Sequence, residues 1–139
     1  MKYLLDTSVW LMSALRGQVL PAAVQELVGD ADESLGLSVF SLWEAAKKHL
    51  QGKLPLPMDL SAWLKAAVPG HVHVLPLTAD IIVESTRLPE FPVNDPADQL
   101  IVATARVHKL ILLTSDTHLR GYRHVRIQYF TPLLEGGRS

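Results

Sequence analysis

Lys2-Tyr3-Leu4-Leu5-Asp6-Thr7-Ser8 is the stretch on which the fold turns. Tyr3, Leu4 and Leu5 form a short apolar run without polar alternation, the pattern of a strand buried on both faces of a parallel sheet. The run stops at a carboxylate followed by two hydroxyls. A helical pattern begins at once with Val9-Trp10-Leu11-Met12, and Ser8 is placed to cap it. The chain therefore reads strand, sharp turn, helix, with Asp6 at the carboxyl end of the strand. In open α/β sheets that rim is where ligands bind. Asp is also a favoured helix cap, so capping and chemistry explain Asp6 equally well from this stretch alone.

Working outward, Pro21 fits the first position of a second helix, Ala22 to Val28, ended by Gly29. Leu35-Gly36-Leu37 is a second short strand. Ser38 or Ser41 opens a helix to about Gln51, closed by Gly52. Phe40, Trp43, Ala46 and Leu50 on it have the spacing of one buried stripe. Lys53-Leu54-Pro55-Leu56-Pro57 is an extended connection. Asp59 caps a helix from Leu60 to Val68. Val72 to Leu77 is a third strand, and Pro76 sends it to an edge or terminal position. Thr78 caps a helix through Arg87. Asp95-Pro96 starts another, with Asp as cap and Pro at the first helical position, running to about His108. Leu110-Ile111-Leu112-Leu113 is the second strongly apolar strand and again ends in polar residues, Thr114-Ser115-Asp116. A short turn, Thr117 to Gly121, leads to a last strand, Val125 to Phe130. Pro132 onward reads as a frayed tail, residues 132–139. This alternation predicts a three-layer α/β/α sandwich with a mostly parallel central sheet and right-handed crossovers. The two most apolar strands belong at its centre, and both end in an Asp.

A chain of 139 residues without repeat, linker or low-complexity tract fits a single domain, residues 1–139. Hydrophobic content of 48% and charged content of 19% exclude a disordered chain. With no cysteine, neither a disulfide framework nor a thiolate metal site can form. No secretory signal and no membrane span are visible, so a cytoplasmic location is expected. Net charge is −1, which excludes a uniformly basic nucleic-acid binder, but the charge is uneven. Residues 1–98 hold seven Lys/Arg against twelve Asp/Glu, and residues 99–139 hold six against two. Arg106, Lys109, Arg120, Arg123 and Arg126, with His108, His118 and His124, make the last third basic. That is either an ordinary solvated face or a phosphate-contacting rim.

Four carboxylates carry the chemistry. Asp98 shares a helix face with Ile101, Val102 and Ala105, the stripe that packs on the sheet. It lies in the first turn, where the helix dipole favours negative charge by roughly 0.3–1 kcal/mol. Burying an unpaired carboxylate costs more than that, so Asp98 is either paired or lines a cleft. Asp95 serves as the cap and leaves Asp98 free. Glu44 borders the Phe40/Trp43 stripe, and an i,i+4 pair with Lys48 also accounts for it. Asp116 follows the second apolar strand, where it either caps the Thr117 to Leu119 segment or joins a site. In a parallel sandwich, strand carboxyl ends and the helix starts that follow meet on one rim, so Asp6, Glu44, Asp98 and Asp116 can converge. Two carboxylates about 4 Å apart repel by roughly 4 kcal/mol at an effective dielectric of 20, so four together hold protons or take up a cation. All-oxygen ligation selects a hard ion, Mg²⁺ or Mn²⁺. Such an ion activates water and neutralises a phosphoryl group.

Leu4-Leu5-Asp6-Thr7-Ser8, Ser41-Leu42-Trp43-Glu44-Ala45, Asp95 to Ala103 and Leu113-Thr114-Ser115-Asp116 resemble, in order and spacing, the PIN-domain nucleases. More narrowly the chain resembles the VapC toxins of bacterial toxin–antitoxin pairs, a match strengthened by Gly52-Lys53-Leu54. The resemblance implies an Mg²⁺- or Mn²⁺-dependent endoribonuclease whose acidic ligands map onto Asp6, Glu44, Asp98 and Asp116. Water would attack phosphorus in line, with the 3′ oxygen leaving. Thr7, Ser8 and Thr114 would orient water or the acids. Gln99 departs from many relatives, which carry Arg there, and a phosphate or ion-pair contact is lost with it. The resemblance also implies a homodimer blocked by a small antitoxin. Trp10, Trp43, Trp63 and Leu54–Pro57 are candidate surfaces for it, although such residues more often belong to a core or loop.

Other readings fit less well. An aspartyl-nucleophile phosphotransferase needs a second Asp two residues after Asp6, where Ser8 stands. Nucleotide binding lacks its Gly-rich loop. The remaining alternative is a PIN-like module that binds RNA or protein without cutting.

Overall fold

The structure, a computed structural model, describes residues 1–134. The strands are β1 (Tyr3–Leu5), β2 (Leu35–Ser38), β3 (Val72–Leu75), β4 (Ile111–Thr114) and β5 (Ile127–Tyr129). The helices are α1 (Thr7–Leu15), α2 (Ala22–Gly29), α3 (Val39–Leu50), α4 (Leu60–Ala66), α5 (Ala79–Ser85) and α6 (Pro96–His108), with a 3-10 turn at Gly17–Val19. The sheet runs β3-β2-β1-β4-β5 and every pairing in it is parallel. The two apolar strands, β1 and β4, are neighbours in its middle, registered Leu4 to Leu112 and Leu5 to Leu113. β3, the strand followed by Pro76, is an edge.

Successive strand residues point to opposite faces, so an unbroken apolar run serves two cores at once. Leu5, Leu37 and Leu113 join Trp10 of α1 and Trp63 of α4 on one face. Leu4 and Leu112 join Ile101, Val102 and Ala105 of α6 on the other. Trp10 and Trp63 are therefore core residues. Their ring centroids are 5.4 Å apart, and the Trp10 indole N–H donates to the Ala67 carbonyl at 2.8 Å.

Several local expectations are corrected or narrowed. The cap of α1 is Asp6 rather than Ser8, because the Asp6 carboxylate accepts the Thr7 amide at the end of β1. Pro21 stands at the cap of α2, one position before the first helical turn. The cap of α3 is Ser38, accepting from the Phe40 amide. The stripe expected on α3 is turned away from the core. Ser41 and Ala45 are buried, while Trp43 is 55% exposed and Leu50 76% exposed. Close packing against α1 selects small residues on the inner face, and the Thr7–Ser41 hydroxyl contact at 2.7 Å marks that approach. The frayed tail expected from Pro132 is fastened as far as Leu133, whose amide donates to the Val19 carbonyl at 2.7 Å. Residues 135–139 of that expectation lie outside the described residues. Among the described residues no helix is long and apolar enough to cross a membrane.

Candidate active site

The strand order reverses at β1. From β1 the chain builds β2 and β3 on one side and then crosses to β4 and β5 on the other. A crevice opens at such a switch point beyond the carboxyl ends of the strands. Asp6 and Asp116 follow the two strands that flank it, and the Asp6 amide donates to the Leu113 carbonyl at 3.0 Å.

Here a cavity of about 380 Å³ is lined by Asp6, Thr7, Ser8, Glu44, Lys48, Asp95, Asp98, Ser115 and Asp116. All four predicted carboxylates and two of the three predicted hydroxyl residues line it. The third, Thr114, lies beneath it, fully buried, and holds the acids in place. Its hydroxyl donates to Asp6 Oδ2 at 2.6 Å and accepts the Asp116 amide at 3.0 Å. With Thr7 N–H on Oδ1 at 2.9 Å, both oxygens of Asp6 are fixed. The Thr7 hydroxyl donates to Glu44 Oε1 at 2.6 Å. A hydroxyl has one proton, so Ser41, at 2.7 Å, donates to Thr7 in turn. Asp95 caps α6 through the Ala97 amide at 2.9 Å, and Asp98, one turn on, faces the cavity. The Asp116 carboxylate accepts the His118 amide at 2.9 Å and meets His118 Nδ1 at 3.1 Å.

Crowding these acids in a partly dehydrated crevice favours their neutral forms. Asp98 is pushed up to about 7, first by burial and then by the charges of Asp6, Asp95, Asp116 and Glu44. Burial also raises Asp6, against the Thr114 and Thr7 hydrogen bonds that favour its charged form. Burial raises Glu44 too, opposed by the Thr7 hydrogen bond and by Lys48. Lys48 is the residue that sequence reasoning missed. It faces the cavity and its field favours the anions of both Asp6 and Glu44. The signal was its i+4 spacing from Glu44, which reads equally well as a surface ion pair.

The arrangement suits a hard cation by its chemistry. The donors are all oxygens, and burial and crowding favour the protonated forms of Asp6, Glu44 and Asp98, where a cation would take the place of protons. Among the described residues no three carboxylate or imidazole groups stand close enough to form a ready-made cage. Mg²⁺ does not need one, since it keeps several waters and takes one or two carboxylates directly.

The PIN domain family matches residues 3–125. The chain belongs to the PIN-domain family. This PIN domain is 33% identical to Ribonuclease VapC22 of Mycobacterium tuberculosis over 123 residues, 88% of this chain and 93% of that protein. Among solved structures, VapBC2 from Rickettsia felis bound to a promoter DNA fragment gives a TM-score of 0.71 at 15% identity, covering 93% of this chain and 98% of that one. DNA-bound VapBC from Salmonella typhimurium gives 0.71 at 17% identity over the same shares. VapC20 of Mycobacterium tuberculosis, described as a sarcin-ricin loop cleaving toxin, gives 0.58 at 18% identity, covering 90% and 99%. At these identities the solved structures establish that the PIN fold is shared.

Proposed function

We propose that the chain is a divalent-metal-dependent endoribonuclease and the toxin of a toxin–antitoxin pair. The single observation that carries the reading is the convergence of Asp6, Glu44, Asp98 and Asp116 on one cavity at the switch point of a PIN domain. The 33% identity to a VapC ribonuclease supports the RNA substrate and the toxin role. Its structural neighbours include VapBC toxin–antitoxin complexes, which supports a small antitoxin as partner. A homodimer is part of the same proposal.

Asp6, Glu44, Asp98 and Asp116 would hold Mg²⁺ or Mn²⁺, one or two of them directly and the others through the ion's waters. Once bound, such an ion neutralises charge on the scissile phosphate and acidifies water. The chain's own groups prepare that role. Thr114 and the Thr7 amide keep Asp6 from rotating, and the Ser41–Thr7 relay orients Glu44. Asp98, with its carboxyl pushed up to about 7, would carry its negative charge more readily beside a bound cation. Lys48, at the cavity wall, is placed to meet a phosphate oxygen. Ser8 and Ser115 offer hydroxyls to the attacking water.

Purified protein should cleave structured RNA with Mg²⁺ or Mn²⁺ and stop in excess EDTA. Asp98→Asn should lower cleavage by at least a hundredfold while circular dichroism and the melting temperature show an intact fold. Full activity in that variant, or equal activity in EDTA, rejects the assignment. The toxin role has its own measurement. Expressing the chain alone should arrest bacterial growth, and co-expressing the neighbouring small reading frame should restore it. Unaffected growth with intact RNA favours the binding module instead.

A further inference from the structure

Directly after Asp116 the chain forms a second, basic cavity of about 290 Å³ lined in part by Glu90, His118, Arg120, Arg123 and His124. It borders the acidic one. His118 touches Asp116 on one side and lines the basic cavity on the other. Three anchors hold its wall. Leu119 is buried in the core. Tyr122 meets Phe91 edge-on at 5.3 Å, and its hydroxyl donates to the Pro89 carbonyl at 2.7 Å. The Arg120 guanidinium lies over the Tyr129 ring at 4.9 Å, which uses its face and leaves its edge N–H donors for a ligand.

Two features show that these groups are poorly satisfied by the protein itself. His124 Nε2 is buried without a hydrogen-bond partner, which a native structure rarely tolerates. The nearest acid, Glu90, is largely exposed. Its Oε2 stands 3.7 Å from both His124 Nε2 and Arg123 Nη2, beyond hydrogen-bond reach of either. A lone carboxylate hovering between an imidazole and a guanidinium occupies the position that a phosphate oxygen would fill with bonds to both.

We infer that this cavity is a substrate subsite that grips a backbone phosphate of the RNA strand beside the cut, with Arg120, Arg123 and His124 as donors and Glu90 as a competing anion. The inference rests on the nuclease reading for the identity of the strand. A basic cavity beside Asp116 supplies the positive charge that holds the backbone of a single-stranded polyanion next to a carboxylate site. It also gives the basic last third of the sequence a place and a task.

The test is binding of a fluorescently labelled single-stranded RNA oligonucleotide to the full chain in EDTA, followed by anisotropy across a salt series. Arg123→Ala and Arg120→Ala should each weaken binding roughly three- to tenfold and reduce the slope of log K against log salt by about 0.7. Glu90→Gln should strengthen binding about two- to fivefold, the opposite direction and one that loss of fold cannot imitate. Lys65→Ala, an equal charge change on α4 across the sheet, should leave affinity and slope unchanged within roughly 1.5-fold. Unchanged binding in the arginine variants, or an equal loss in Lys65→Ala, overturns the subsite. If Arg120→Ala unfolds, Arg123→Ala and Glu90→Gln still decide, since both side chains are exposed. Cleavage is absent from this assay, so its outcome is separate from that of Asp98→Asn. Abolished cleavage in Asp98→Asn alongside flat binding in the arginine and glutamate variants would sink the subsite alone.

Discussion

At the residue scale, Asp98 shows why a crevice crowded with carboxylates opposes stability. Its folded-state pKa, about 7, lies well above the ordinary 3.8. Between those values the folded chain keeps a proton that the unfolded chain has released. The contribution of Asp98 to the stability of the metal-free protein therefore falls as pH rises from about 4 to 7. Asp98→Asn removes the repelling charge and should raise the melting temperature in EDTA at pH 8 by roughly 3–8 °C, with little change at pH 4.5. Calorimetry at the two pH values checks this, and an equal shift at both would mean that Asp98 is not the titrating group. The four acids were legible in the sequence because each stands at the carboxyl end of an apolar strand or within the first two turns of a helix. Lys48 was not, since spacing alone cannot tell a cavity wall from a solvated face. For Asp6 the sequence left capping and chemistry open; its carboxylate caps α1 and lines the cavity at once, so capping does not take it out of the cavity.

At the element scale, strands were read more surely than helix faces. β1 and β4 are apolar throughout because both sheet faces are covered, and no phase has to be chosen. α3 required a phase, and its apolar stripe pointed the wrong way. Phe40 and Trp43 stack on each other at 5.1 Å at the surface, with the Lys47 ammonium 5.8 Å from the indole. The face toward α1 and the cavity instead carries Ser41, Glu44, Ala45 and Lys48, small or charged residues that hydropathy cannot flag. Close approach decides β2 as well. A Cβ added at Gly36 would meet Met1 Sδ at 3.0 Å, Leu75 Cδ1 at 3.1 Å and Leu4 Cδ1 at 3.3 Å. Gly36→Val should overpack this seam and cost about 1–3 kcal/mol in urea unfolding. Gly29→Val, where nothing lies within 4 Å, should cost about 1 kcal/mol or less. Equal losses at the two positions would deny the steric account.

At the scale of the whole molecule, one topological fact brings distant parts of the sequence together. Because the strand order turns at β1, residues as far apart as Asp6 and Asp116 end neighbouring strands, and α3 and α6 deliver Glu44 and Asp98 to the same rim. The alternation of elements predicted this layout, while the side-chain relays that hold the acids in place could not be read before the elements met. A cation held in the crevice would couple three equilibria: folding, protonation and ion binding. A cation binding only the folded chain stabilises it by RT ln(1 + [M]/Kd). For a weak site with Kd near ~1 mM, about 10 mM Mg²⁺ gives about 1.4 kcal/mol, or roughly 3–6 °C in melting temperature. Protons compete for the same oxygens, so the gain should be full at pH 8 and nearly absent at pH 5.5, below the value to which Asp98 is raised. Differential scanning calorimetry with Mg²⁺ or with EDTA at the two pH values measures it. Asp98→Asn should flatten the Mg²⁺ response at pH 8. A gain independent of pH, or one undiminished in that variant, would place the ion elsewhere on the molecule and detach the acidic crevice from metal binding.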